Sequence, residues 1–378
     1  MYEFSVPMPF FKEHIDKLIS INKEIEKSKI TSLYFSLPTN SIDFTGFEQD
    51  RFNWNVETGF DYWKPLIEYS LNNGFDFIYV LNSPIIHYEH DKELYTKLDK
   101  LNRLIENLEK LGCNKVRICN PQLMGYISKN YPYIELYLST STEIKTIKDY
   151  SNLFLEFKNI KECVPSWDVN KNFKLLKNLQ SLFPNIKLEL MVNEGCLPAC
   201  PFRNVHNSMA NRETNLENYF YSCKFITQNC SKKMKNDIAC YLANNNIIYP
   251  WEINEYHKIG INNFKLVGRN SDNFITGKYF KYYKYYLKGV DDIKNILEVP
   301  IRYFNHYIFQ DKNINFKVKE IKSYLPDIKH FVKQGHMCST VCNEECNYCL
   351  KCAKNIQKVF DKHQEIMKKR TIKMCVCN

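Results

Sequence analysis

The chain has 378 residues, 44% of them hydrophobic, with a formal net charge of +10 and 15 cysteines. That length holds a substantial core in one large or two average domains, which excludes a small disulfide-stapled scaffold. No apolar run reaches the 18 or more residues that a spanning helix needs, and the opening MYEFSVPMPFFKEH carries neither a basic leader nor a cleavable apolar segment, so the expected location is cytoplasmic. The positive charge suits an anionic partner, but the lysines equally solvate a surface, and no basic-aromatic stripe or RNA-recognition motif accompanies them.

Short β-rich runs alternate with helical patterns from the start. Strands are predicted at 2–8, 30–38, 75–82, 115–120, 134–140, 160–165, 186–192 and 262–267. The run 91–112 between two of them has helical spacing and a C-terminal stop at Gly112. Strands and helices in this alternation predict an α/β fold, a (β/α)8 TIM-like barrel over 1–290. A long cysteine-containing insertion at 193–245 interrupts the alternation, and loops of that length are usually functional. Residues 291–378 form a C-terminal extension with a Cys-rich module at 336–356, followed by a Lys-rich tail.

In a reducing compartment, clustered cysteines are read as metal ligands or redox groups rather than structural disulfides. Five lie within 196–240 and five within 338–352, while Cys113, Cys119 and Cys163 stand singly in apolar surroundings and read as buried free thiols. The first group opens with NEGCLPACPFRNVHN at 193–207, directly after a predicted strand. A barrel presents its strand C-termini at the active face, so Cys196 and Cys200 are expected there, on a turn stiffened by Pro198 and Pro201. Cys223 with Cys240 or Cys230 completes four thiolates, as a [4Fe–4S] cluster requires; zinc takes the same donor set.

The second group is HMCSTVCNEECNYCLKC at 336–352. Cys338, Cys342, Cys346 and Cys349 make a ligand set, with Cys352 as competitor and zinc as the alternative metal. Cys342, Cys346 and Cys349 also reproduce the spacing of the radical S-adenosylmethionine motif. Too few residues follow them to build that superfamily's barrel.

A third segment, PWEINEYHKIGINNFKLVGRN at 250–270, ends in Arg269 beyond the last strand, where a guanidinium can clamp a carboxylate or phosphate through two bonds. By position at strand C-termini, Asn82, Asn120, Ser139, Thr140, Asn193 and Glu194 are further pocket candidates, and Glu194 beside the cysteine turn suits acid–base work. Neither a GxSxG elbow nor an HExxH helix occurs. A Cys–His pair of Cys196 or Cys200 with His206 would be a protease arrangement, but thiolates that hold a cluster are not free to attack a peptide.

CLPACPFRNVHN paired downstream with GINNFKLVGR resembles peptidase family U32, the collagenase-like proteases, and among them the branch of ubiquinone-biosynthesis and tRNA-hydroxylation proteins. The resemblance implies a barrel that binds a [4Fe–4S] cluster through four cysteines and supports oxygen-independent hydroxylation, with Cys196, Cys200, Cys223 and Cys240 as ligands. It further implies an oxidoreductase rather than a peptidase. The expected partners are a small-molecule or RNA substrate and an electron donor such as a ferredoxin or flavodoxin, with no membrane. The C-terminal cysteine module and the close spacing of Cys196 and Cys200 depart from the family pattern. Two clusters are expected in all, with Glu194, His206 and Arg269 at the reacting centre. A zinc-stabilised binding protein is the reading from another class.

Overall fold

A computed structural model describes residues 1–38, 41–45, 47–48, 59–86, 90–200, 202–205, 238–268, 279–304, 316–334 and 346–376, the last of these by backbone alone beyond 363. Eight parallel strands close into a barrel in sequence order. They are β1 (Tyr2–Pro7), β2 (Ser28–Phe35), β3 (Asp76–Leu81), β4 (Lys115–Ile118), β5 (Glu135–Leu138), β6 (Ile160–Cys163), β7 (Lys187–Met191) and β8 (Asn263–Lys265), and β1 pairs with β8 to shut the ring. All eight fall on the runs read from the sequence, β2 starting slightly earlier.

The surrounding helices are α1 (Lys12–Glu24), α2 (Phe60–Asn72), α3 (Asp91–Lys110), α4 (Pro121–Asn130), α5 (Ile147–Glu156), α6 (Phe173–Leu182), α7 (Ile238–Ala243), α8 (Ile253–His257) and α9 (Tyr279–Asp291); α10 (Val318–Ile321), α11 (Ile328–Gln334) and α12 (Tyr348–Val376) follow. Local chemistry sets their limits. Asn120 accepts from the amide of Leu123 with Pro121 in the first turn, Thr146 accepts from Asp149 N and Asn172 from Leu175 N, each satisfying an orphan donor. Gly112 ends α3 at φ +72°, a conformation that costs glycine little. The buried face of α3, with Leu101, Leu104, Ile105 and Leu108, lies against the barrel.

Along each strand one set of side chains enters the layer between sheet and helices: Phe4 and Val6, Leu33 and Phe35, Val116 and Ile118, Leu188 and Leu190. That core runs on without interruption into Val318, Ile321, Ile328, Phe331, Ala353 and Ile356 of the extension, so the extension shares the barrel's core. Helix α12 also covers α7. The alternate set points into the barrel, where Tyr34, Ile78, Val80 and Tyr137 form a separate cluster.

Part of the expected Cys-rich loop and all of the expected tail up to Val376 are one 29-residue helix, α12. Cys349 and Cys352 therefore stand on a helix face beside Ala353 and Ile356, half-buried against the core. Among the described residues no helix is long and apolar enough to cross a membrane.

Candidate functional site

Barrel interiors are usually filled by branched apolar side chains. Here β4, β6, β7 and β8 each place one charged residue inside. Arg117 binds Glu162 at 2.5 Å and Glu189 at 2.7 Å, with all three side chains nearly fully buried. The Lys265 ammonium sits 3.5 Å from the centroid of the Tyr34 ring, whose hydroxyl donates to Leu266 O at 2.9 Å. Burial, then repulsion from Glu189, pushes the Glu162 carboxyl up to about 7, against the pull of Arg117. Burial acts upward on Glu189 as well, but Arg117 and Lys265 hold it below the usual range. Unpaired, any of these charges would be costly so far from water; paired, they make a balanced ionic plug.

Above the plug, at the C-terminal ends of the strands, Asn193 clamps β7 to β8: its Nδ2 donates to Val267 O at 3.0 Å and its Oδ1 accepts from Val267 N at 2.8 Å. The turn carrying Cys196 and Cys200 leaves this clamp. Both thiols therefore lie at the mouth, where the strand-end argument put them. Ala199 takes a positive φ of 49°, and its amide donates to Asp168 Oδ1 at 3.0 Å.

Arg203 holds the turn from behind. Its guanidinium reaches Asp168 at 2.8 and 3.0 Å, Glu143 at 3.3 Å and the Leu197 carbonyl at 2.7 Å. Lys145 adds a second cation at 2.7 Å from Asp168. Burial raises the Asp168 carboxyl, yet Arg203 and Lys145 outweigh it and hold the group below its ordinary value. Burial pushes the Cys196 thiol up to about 12, with the neighbouring Arg203 opposing. Arg203, Asp168, Glu143 and Lys145 were not singled out from the sequence. Asp168 and Glu143 follow β6 and β5, so the strand-end rule was the available signal; what joins them to Arg203 is only tertiary.

The other expected residues divide. Glu194 is half-buried, its carboxylate accepting from Gly195 N at 3.0 Å. Cys240 lies on α7, and the next residue, Tyr241, donates its hydroxyl to Gly195 O at 2.7 Å, bringing that helix against the cysteine turn. Asn120 is spent on its cap and on Pro84 O, Ser139 on Ser141 N and Thr140 on Pro165 O. Cys346, Cys349 and Cys352 belong to the extension, half-buried. His206, Arg269, Cys223, Cys230, Cys338 and Cys342 lie outside the described residues. Cys113, Cys119 and Cys163 are buried, as expected. Among the described residues no three His, Cys, Asp or Glu side chains already stand together as a metal-holding group. Two thiols on one braced turn, and a third on the helix bound to that turn, are donors of the type a soft metal takes.

Comparison with known proteins finds a family match. The description "Peptidase family U32" matches residues 65–307. "Uncharacterized protease MJ1657" of Methanocaldococcus jannaschii is 22% identical over 353 residues, covering 91% of this chain and 94% of that one. Among solved structures, the U32 peptidase Mk0906 is similar with a TM-score of 0.42 and 8% identity, over 71% of this chain and 92% of that chain. SrfJ from Salmonella typhimurium has a TM-score of 0.37 and 11% identity, over 70% of this chain and 64% of that chain.

Proposed function

Because the chain belongs to peptidase family U32, we propose that it is an iron–sulfur enzyme that modifies a small molecule or an RNA at the barrel mouth, by oxygen-independent hydroxylation or a related reaction. The observation that carries this reading is the position of Cys196 and Cys200 on a braced turn at the C-terminal end of β7, where a barrel does its chemistry. Cys196 and Cys200 would hold a [4Fe–4S] cluster, with Cys240 and Cys223 as the remaining ligands. Such a cluster supplies one-electron transfer, tuned by charge and hydrogen bonds around its sulfurs. Asp168 and Arg203 keep the turn in one shape, and the Arg203 cation offsets thiolate charge. Glu194, beside the turn, is the acid–base candidate. Cys346 and Cys349, with Cys338 and Cys342, would form a second cluster that passes electrons from a ferredoxin or flavodoxin. Zinc is the alternative there.

Peptide cleavage is the second reading, favoured by the name of the Methanocaldococcus relative. A cysteine nucleophile needs a neighbouring base, and beside Cys196 stand both the Arg203 cation, which cannot take up a proton, and the Glu194 carboxylate, which can.

Anaerobic purification with iron and sulfide analysis, alongside casein and gelatin assays, separates the two. The expected result is a coloured iron- and sulfide-containing protein that bleaches in Cys200→Ala and cleaves neither substrate. A colourless zinc protein, or cleavage that vanishes in Cys196→Ala, would sink the iron–sulfur reading.

A further inference from the structure

Helix α12 has two faces of opposite character. Ala353 and Ile356 are buried in the core, Phe360 meets the Phe316 ring at 4.3 Å, and His363 reaches Glu320 at 2.7 Å. With about 3.6 residues per turn, Lys351, Lys354, Lys358 and Lys362 fall within an arc of about 80° on the other side, and all four are exposed. The core grips the helix along this stretch, so the lysines stand on a fixed platform.

Several surface lysines elsewhere have found carboxylates: Lys97 pairs with Glu93, Lys115 with Asp76 and Lys187 with Glu3. In the extension, Lys317 and Lys319 share Glu298. None of the four α12 lysines pairs with a carboxylate among the described residues. Lys358 reaches the neutral Asn355 side chain at 3.5 Å, and Asp361 accepts from Gln357 at 2.9 Å. Like charges three and four apart on a helix repel, so a partner that brings negative charge to this face relieves it.

Size and composition narrow the partner. From Lys351 to Lys362 the stripe runs about 16 Å at roughly 1.5 Å per residue, on a helix about 10 Å wide. That is the scale of the small, charge-steered encounters of electron-transfer pairs, below the roughly 800 Å² a side of a standard interface. RNA is held through arginine forks and exposed aromatic rings, and the described part of this face presents neither. The same helix also bears Cys349 and Cys352, which pack against the core from its first turns. A protein docked on the lysines therefore sits about one helix diameter from those sulfurs.

We propose that the lysine face of α12 is the docking surface for an acidic one-electron carrier protein of the iron–sulfur or flavin class. This rests on reading the extension's cysteines as an electron-accepting centre and adds where the donor binds. The carrier gives up one electron, the centre takes it, and no bond or proton moves.

The test measures binding of the full-length protein, its iron content known, to a plant-type [2Fe–2S] ferredoxin by biolayer interferometry. Binding should be saturable at about 20 mM salt and at least about tenfold weaker at about 300 mM. Lys354→Gln with Lys358→Gln should weaken the low-salt binding at least about fivefold. Lys110→Gln with Lys129→Gln removes as much charge from exposed sites on α3 and α4, and should change it less than about twofold. No saturable binding, or equal weakening by both pairs, would overturn the proposal. So would a mixed-sequence RNA, or phosphatidylcholine–phosphatidylserine vesicles, that bind more tightly than the ferredoxin and lose that binding in Lys354→Gln with Lys358→Gln. Should that variant fail to fold, carbodiimide coupling of ferredoxin carboxylates to wild-type lysines decides. Cross-links at Lys351, Lys354, Lys358 or Lys362 support the surface, and cross-links only elsewhere overturn it. Binding is read without turnover, so an iron-free protein that holds ferredoxin at these lysines keeps the surface and sinks the cluster. An iron-loaded protein that ignores ferredoxin does the reverse.

Discussion

Tyr241 donates its hydroxyl to the carbonyl oxygen of Gly195 across 2.7 Å, pinning α7 to the turn that presents Cys196. The phenol is buried, so Tyr241→Phe leaves a carbonyl without its donor and little other change of shape. A loss of about 1–3 kcal/mol in urea unfolding is expected. On the proposed function, the same variant should also lose its visible absorbance faster in air than wild type. Equal stability and equal bleaching would show that the bond braces nothing.

Arg117 should be the most sensitive position inside the barrel. Arg117→Met leaves Glu162 and Glu189 buried without their shared cation, and a loss of about 3–5 kcal/mol is expected. Adding Glu162→Gln removes the surplus negative charge while Lys265 still faces Glu189. The double variant should therefore recover much of the loss, as chemical denaturation of the single and double variants would show. Simple additivity would mean that the ions are not coupled.

Glu252 gives stability a pH dependence with a definite sign. Burial, opposed by Lys171 and by the Tyr249 amide, pushes its carboxyl from 4.5 up to about 7. Between these values the folded state keeps a proton that the unfolded chain has released. Its contribution is therefore present in full below about pH 4.5 and is lost as the pH rises towards 7. Glu252→Gln should flatten that part of the stability–pH curve. An unchanged slope in the variant would remove Glu252 as its source.

Gly268, just past β8, sits at φ +141°, and a Cβ built there would lie 2.2 Å from Cε1 of Tyr279. Gly268→Ala meets both backbone strain and a buried ring, so a loss of about 2 kcal/mol or more is expected. Tyr279→Ala in the same chain should relieve the clash but not the strain. Thermal unfolding of the two single variants and the pair would therefore give a non-additive sum.

The barrel was legible because each strand is a short apolar run between turn signals, and parallel strands buried on both faces announce themselves that way. Cys196 and Cys200 were placeable because position after a strand determines position at the mouth. Arg203 was not. Its partners Asp168 and Glu143 lie 35 and 60 residues away, on loops after other strands, and no local pattern reports such a meeting. The ionic interior was written in plain sight: a charged residue stands within KVRI, IKEC, KLELM and NFK. Only closure of the ring turns those residues towards one another. In the extension, the spacing of three between Cys346, Cys349 and Cys352 fits a metal loop and a helix alike, and the fold places the last two on α12.

Helix α12 follows in the chain everything it covers, and this fixes an order of assembly. The barrel strands and α7 leave the ribosome first, with the side of α7 that α12 covers still bare. Until α12 arrives, the helix bound to the cysteine turn lacks that cover. A ribosome stalled before α12 would therefore leave that side of α7, and the apolar core that α12 helps to close, exposed.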